Sequence, residues 1–143
     1  MFSNILLPYD GSSFAEHAFN VALDVARKYN SKICLLSCID KIAFRGWYTD
    51  SSYDNILIKK QTKAIKERLA VLENKAKNVN IQSSSHILVT TSIVKEIVSF
   101  AKSHKIDLII MGSHGRRGLD KFLLGSVTNG VSQRAHCPVL IVR

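Results

Sequence analysis

Residues Asn4 to Ile39 read NILLPYDGSSFAEHAFNVALDVARKYNSKICLLSCI, and the spacing of apolar residues in this stretch decides the fold. NILL is a short unbroken apolar run ended by Pro8, and KICLLSCI is a second such run. Runs of four to eight apolar residues suit strands buried on both faces, as in a parallel sheet covered by helices. Between them, Ala15, Ala18, Phe19, Ala22, Val25 and Ala26 recur at the three- and four-residue spacing of one helix face. Ser13, followed three residues later by Glu16, has the form of a capping box and starts that helix.

The same reading extends outward. LIIMG and PVLIV repeat the buried-strand pattern, while IQSSSHILV is a more polar strand that belongs at a sheet edge. SIVKEIVSFAKSH reads as a helix, and so does KKQTKAIKERLAVLENKAKN, in which Ala64, Ile65, Leu69, Leu72 and Ala76 form the apolar stripe. The order is strand, helix, strand, long loop, helix, strand, helix, strand, glycine loop, short helix, strand. Strict alternation implies an α/β fold, with a mainly parallel sheet and right-handed crossovers. At 143 residues, without repeat or linker, residues 1–143 make one domain.

An apolar content of 46% with 22% charged residues fits a soluble globular chain, and no apolar run reaches the roughly 18 residues of a membrane span. MFSNILLPYDGS carries no basic leader before its apolar run, so the expected compartment is the cytoplasm, with no membrane partner. Cys34, Cys38 and Cys137 make no C-x-x-C. On one strand Cys34 and Cys38 would stand about 13 Å apart, beyond disulfide reach, so all three read as packing residues. The net charge of +9 favours an anionic partner and names none. Much of it lies on the lysine-rich helix, where it reads as a solvated face, with a nucleic-acid surface as the sharper alternative.

Ligands of such sheets bind beyond the carboxyl ends of the strands, where strand order reverses. Two strand ends carry unusual chemistry. In PYDGS, Asp10 emerges into a Gly-Ser turn, and MGSHGRRGLDKFLLGS, Met111 to Ser126, follows IDLII. A glycine-rich loop between a buried strand and a helix offers unhindered backbone N–H groups to an anion, and the helix start adds its positive dipole end. Gly112 and Gly115 would let the chain turn against a polyphosphate, and Arg116, Arg117 and Lys121 against Asp120 leave the segment net positive. Neither the P-loop nor the dinucleotide fingerprint is present. From spacing alone, a turn that is glycine-rich for geometry is an equal alternative.

Gly112, two residues, Gly115, nine residues, Gly125 and Ser126 form a pattern that resembles the nucleotide-binding members of the universal stress protein family. ILLPYDGS, SCID and CPVLIVR carry the resemblance across nearly the whole chain. It implies a Rossmann-like open five-stranded parallel sheet with helices on both faces, the first and fourth strands being neighbours. It further implies ATP as ligand, with Mg²⁺ or Mn²⁺ bound through the phosphates. By position, Pro8, Tyr9 and Asp10 would line the base and ribose side, and Cys38 would read adenine through its backbone. Met111, Gly112, Ser113, Gly115, Gly125, Ser126 and Val127 would hold ribose and phosphates. Thr91 and Ile93 stand where the family has a glycine and a proline, which alters one wall of the base pocket and leaves open the choice between ATP, AMP and another nucleotide.

The leading expectation is therefore an ATP-binding stress-response protein that acts as a nucleotide-dependent switch. A slow nucleotide hydrolase on the same fold is the enzymatic alternative, and a basic nucleic-acid binder is the less favoured third. His114 between two loop glycines is the only candidate base, with no catalytic partner fixed by sequence. No metal-ligand spacing occurs among the histidines. Phe44 to Asp54 reads as a packing loop or a lid. The apolar last strand, placed at the sheet edge on the family's topology, is expected to pair two copies as a homodimer.

Overall fold

The computed structural model describes residues 1–42, 51–116 and 123–143, with backbone alone for 51–53. The elements run β1 (Asn4–Pro8), α1 (Ser13–Tyr29), β2 (Lys32–Asp40), α2 (Ser51–Asn78), β3 (Ser83–Thr90), α3 (Ile93–Ser103), β4 (Leu108–Gly112), α4 (Ser126–Arg134) and β5 (Val139–Val142). The five strands form one sheet in the order β3-β2-β1-β4-β5, and every pairing is parallel. Strand order reverses between β1 and β4, which pair through Ile5 with Leu108 and Leu6 with Ile109. The polar strand β3 is at one edge, as its composition suggests, and β5 is at the other.

Alternate side chains of a strand face opposite sides of a sheet, so an unbroken apolar strand feeds two cores. Ile5, Leu7, Ile33, Leu35, Leu108 and Ile110 pack under α1 and α2, against Phe19, Leu69 and Leu72. Leu6, Leu36, Ile109 and Met111 pack on the other face against Ile97, Phe100 and Val131 of α3 and α4. Burying a side chain the size of Phe19 or Leu69 stabilises by about 1.5–3 kcal/mol, which is why the two stripes set the position of every helix. The lysines of α2, among them Lys59, Lys63 and Lys66, are exposed while Leu69, Leu72 and Ala76 are buried. These lysines form an exposed face away from the buried stripe.

Helix α1 shows how sequence sets an element and where the reading slips. Ala15, Ala18, Phe19, Ala22 and Ala26 are buried as the spacing predicts. The cap, however, is Ser12 and not Ser13. The Ser12 side chain accepts from Ala15 N–H at 3.2 Å, and Ser13 is already the first helical residue. Glu16 does not reach back to complete a capping box; its carboxylate accepts from the Tyr9 hydroxyl. The helix stops at Asn30, which takes the left-handed conformation (φ 54°) and donates its N–H to Ala26 O. Helix α2 begins at Ser51, so the end of the expected Phe44–Asp54 loop is helical, and residues 43–50 lie outside those described.

Candidate functional site

The crevice at the carboxyl ends of β1, β2 and β4 has a volume of about 440 Å³. It lies where strand order reverses, as expected for this class of sheet. Of the residues assigned to it from sequence, Pro8, Tyr9, Asp10, Cys38, Met111, Gly112, Gly115, Gly125, Ser126 and Val127 all line it. Ser113 does not. It is 1% exposed, its N–H donates to Val142 O at 2.7 Å, its carbonyl accepts from Gly125 N–H at 2.8 Å, and its hydroxyl lies 2.9 Å from His114 Nδ1. Ser113 therefore ties the glycine loop to β5 and closes its base.

Each lining residue has a local cause. Tyr9 is fixed by β2: its N–H donates to Leu36 O at 2.8 Å and its carbonyl accepts from Ser37 Oγ at 2.7 Å. Burial, and then the Glu16 carboxylate beside it, raise the Tyr9 phenol well above its usual pKa, so it stays protonated and serves as a strut. Asp10 folds back so that Oδ1 accepts from Ser12 N–H at 2.9 Å, and the turn needs Gly11 at φ 82°. Asp10 also meets the glycine loop. Arg116 Nε donates to its carbonyl at 2.6 Å, and a Cβ on Gly115 would stand 2.8 Å from its Oδ2. The two strand ends thus face each other across one crevice, as their chemistry suggests.

Gly112 has a different reason from the one its loop context suggests. It is the last residue of β4 and not part of a turn, and a Cβ there would lie 2.7 Å from Phe14 Cβ and 2.9 Å from the Phe14 backbone carbon. Its bareness lets the start of α1 pack on the strand end. Gly125 is the N-cap of α4 and supplies no side-chain hydrogen bond. The N–H groups of Ser126, Val127 and Thr128 thus have neither an intrahelical partner nor a side-chain cap, and all three residues line the crevice. The Thr128 hydroxyl is spent on Gly112 O at 2.7 Å.

The remaining wall is apolar and comes from Leu36, Ile93 and Ile97. Ile93, one of the two departures from the family pattern, thus becomes a pocket-lining side chain. Burial, and then the charge of Glu96, push the Cys38 thiol up to about 12, so it is neutral and a poor nucleophile. His114 lines the crevice beside Phe14, with ring centroids 5.2 Å apart, and its Nε2 is buried without a partner among the described residues. Sequence offered no partner for His114; the structure gives it Ser113, which is a hydroxyl and not a carboxylate. Arg117, Asp120 and Lys121 lie outside the described residues. Among the described residues no group of three or more His, Cys, Asp or Glu could hold a metal ion, and no helix is long and apolar enough to cross a membrane.

A family model described as the universal stress protein family matches residues 1–143. The chain belongs to that family. It is 32% identical over 145 residues to universal stress protein MJ0531 of Methanocaldococcus jannaschii, covering 100% of this chain and 83% of the relative. Universal stress protein YxiE of Bacillus subtilis is 33% identical over 155 residues, covering both chains fully at 100%. Among solved structures, the protein MJ0577 superposes with a TM-score of 0.90 at 32% identity, over 99% of this chain and 96% of that one. Two more distant structures share the fold: a universal stress protein in complex with cAMP, at TM-score 0.73 and 23% identity over 99% of this chain and 97% of that one, and one from Archaeoglobus fulgidus in complex with dAMP, at 0.68 and 21% over 100% and 98%.

Proposed function

We propose that the crevice binds an adenine nucleotide, with ATP as the ligand it fits best, and that the protein works as a nucleotide-dependent switch in a stress response. The observation that carries this reading is the start of α4: three backbone N–H groups without a cap, opening beside a glycine loop onto the carboxyl ends of the strands. Such a helix start favours phosphate through both its free donors and its dipole. The apolar wall of Leu36, Ile93 and Ile97 suits a planar base, and the Asp10 carboxylate suits ribose hydroxyls. Family members in complex with cAMP and dAMP support an adenine nucleotide as the ligand class. Any Mg²⁺ or Mn²⁺ would be held by the phosphate oxygens, with Asp10 the carboxylate that reaches the glycine loop.

Occupancy and not cleavage would carry the signal. Fast phosphoryl transfer needs an in-line water oriented by Gln, Glu or Asp. Among the described residues at the crevice, Asp10 is given to the ribose side, where its Oδ1 accepts from Ser12 N–H, and His114 has its Nδ1 at a serine hydroxyl, so hydrolysis should run below about one turnover per minute. Mass spectrometry of the denatured protein should identify a retained adenine nucleotide, and calorimetry with ATP should give saturable binding. Phosphate release within seconds in a single-turnover assay, abolished by His114→Ala, would instead make the protein a hydrolase.

A homodimer through β5 is part of the same proposal. That strand is at the sheet edge, and Leu140 on it is 40% exposed. An unpaired edge of apolar residues calls for cover, and a two-fold pairing supplies it. Sedimentation at tens of micromolar should show a dimer, and a monomer with and without ATP would remove the idea. A cytoplasmic location goes with this reading.

A further inference from the structure

A second hollow, of about 310 Å³, opens between α2 and the carboxyl ends of β1 and β2. It shares Tyr9, Asp10, Cys38 and Arg116 with the main crevice and adds Gln61 and Arg68 from α2. Two guanidinium groups converge there on one turn. Arg68 Nη1 donates to Gly11 O at 3.3 Å, and Arg116 Nε donates to Asp10 O at 2.6 Å. A Cβ on Gly11 would run into Arg68 Nη1 and lie 3.0 Å from Arg116 Nη2, so both cationic ends lie over the same bare Cα. The one ion pair among the described residues joins Arg27 to Asp24, so neither guanidinium is paired with a described carboxylate. The Asp10 Oδ1 and Asp40 Oδ1 atoms near them accept instead from the backbone N–H groups of Ser12 and Ile42, each at 2.9 Å. Asp10 and Asp40 line the hollow too, so its charges are mixed; with one N–H of each guanidinium given to a backbone carbonyl, the other N–H groups of the two forks can donate to an anion.

The position of the hollow says which anion. It touches the base and ribose end of the crevice through Tyr9, Asp10 and Cys38, and includes none of Gly112, Gly115, Gly125 or Ser126. A ligand in the main crevice would reach it from the Tyr9–Asp10 side, not past Gly112, Gly125 or Ser126. We propose that Arg68 and Arg116 form a second anion subsite for a phosphate carried on the 2′ or 3′ oxygen of the ribose, so that the protein takes a nucleotide phosphorylated at both ends of its ribose. The planar fork of each guanidinium matches two phosphate oxygens. The Asp10 carboxylate accepts from the ribose hydroxyl that remains free. This inference rests on the nucleotide reading of the main crevice.

Calorimetry at fixed ionic strength with AMP, ATP, adenosine 3′,5′-bisphosphate and adenosine 2′,5′-bisphosphate tests it in wild type and in Arg68→Gln. Arg68 is exposed, so the variant should fold, and its melting temperature checks that. One bisphosphate should bind about tenfold or more tightly than AMP, the scale of one added charge-assisted hydrogen-bond pair, and the one that does identifies the 2′ or 3′ position. In Arg68→Gln the ratio of its affinity to that of AMP should fall to within about twofold of one. AMP binding with no bisphosphate advantage in wild type, or an advantage that survives Arg68→Gln, would overturn the subsite and leave the crevice standing. Loss of the preference for ATP over AMP in the variant would move Arg68 to the 5′ chain and likewise overturn it. Failure of all four nucleotides to bind would bring down the crevice reading and the subsite together.

Discussion

Two helices start at the mouth of the same crevice, and they start differently. Helix α1 follows β1, and its first turn is closed from within: Ser12 caps Ala15 N–H, Asp10 takes Ser12 N–H, and Glu16 receives the Tyr9 hydroxyl. Helix α4 follows β4 and the glycine loop, and its N-cap is Gly125, which offers no side chain at all. Both starts carry the positive end of a helix dipole. At α1 a serine hydroxyl already takes one of the first N–H groups and Asp10 accepts from Ser12 N–H in front of it, so this start leaves fewer donors for a ligand than α4 does. At α4 the donors of three consecutive residues are left for a ligand. On the proposed reading, the phosphates would lie at α4 and the ribose at the Asp10 turn.

The largest test of this asymmetry adds a branched side chain at the open start. Gly125→Val places a Cβ 3.2 Å from His114 Cα and 3.3 Å from Ser113 O, so the loop base must shift and its N–H groups lose their aim. Each charge-assisted hydrogen bond lost is worth about 1.5–3 kcal/mol, so ATP affinity in calorimetry should fall at least about tenfold, with far-ultraviolet circular dichroism unchanged. Wild-type affinity would mean that α4 does not hold the phosphates. Gly112→Ala probes the contact between the two regions. Its Cβ meets Phe14 at 2.7 Å, with backbone close behind, so overpacking should cost about 1–3 kcal/mol in denaturant unfolding. A neutral result would show that α1 and β4 are less tightly joined than their geometry implies. Ser12→Ala removes the closed cap. Stability should drop by about 1 kcal/mol while ATP affinity changes less than about twofold, since this cap faces its own helix. A large affinity loss here would erase the distinction between the two starts.

What sequence could show of this depended on how local the cause was. The strands and α1 were legible because their apolar spacing is a local consequence of burial on two faces, and the glycine loop because four fixed positions stand between a buried strand and a helix. The cap of α1 was misplaced by one residue because Ser12 and Ser13 are equivalent locally, and only the backbone path out of the Asp10 turn chooses between them. Gly112 and Ser113 were named from sequence as site residues, but Ser113 does not line the crevice, and the contacts of both depend on Phe14 and Val142, far away in the chain. Arg68 gave no signal. It is one cation among many on a lysine-rich helix, and only folding brings it over Gly11.

The most direct measurement of the central claim follows backbone amide signals by NMR while ATP is added. The account predicts saturable shifts at Ser126, Val127 and Thr128 together with Gly115, with Ala15 at the closed start of α1 changing little. ATP binding that leaves the α4 amides in place and moves those of α1 instead would contradict it.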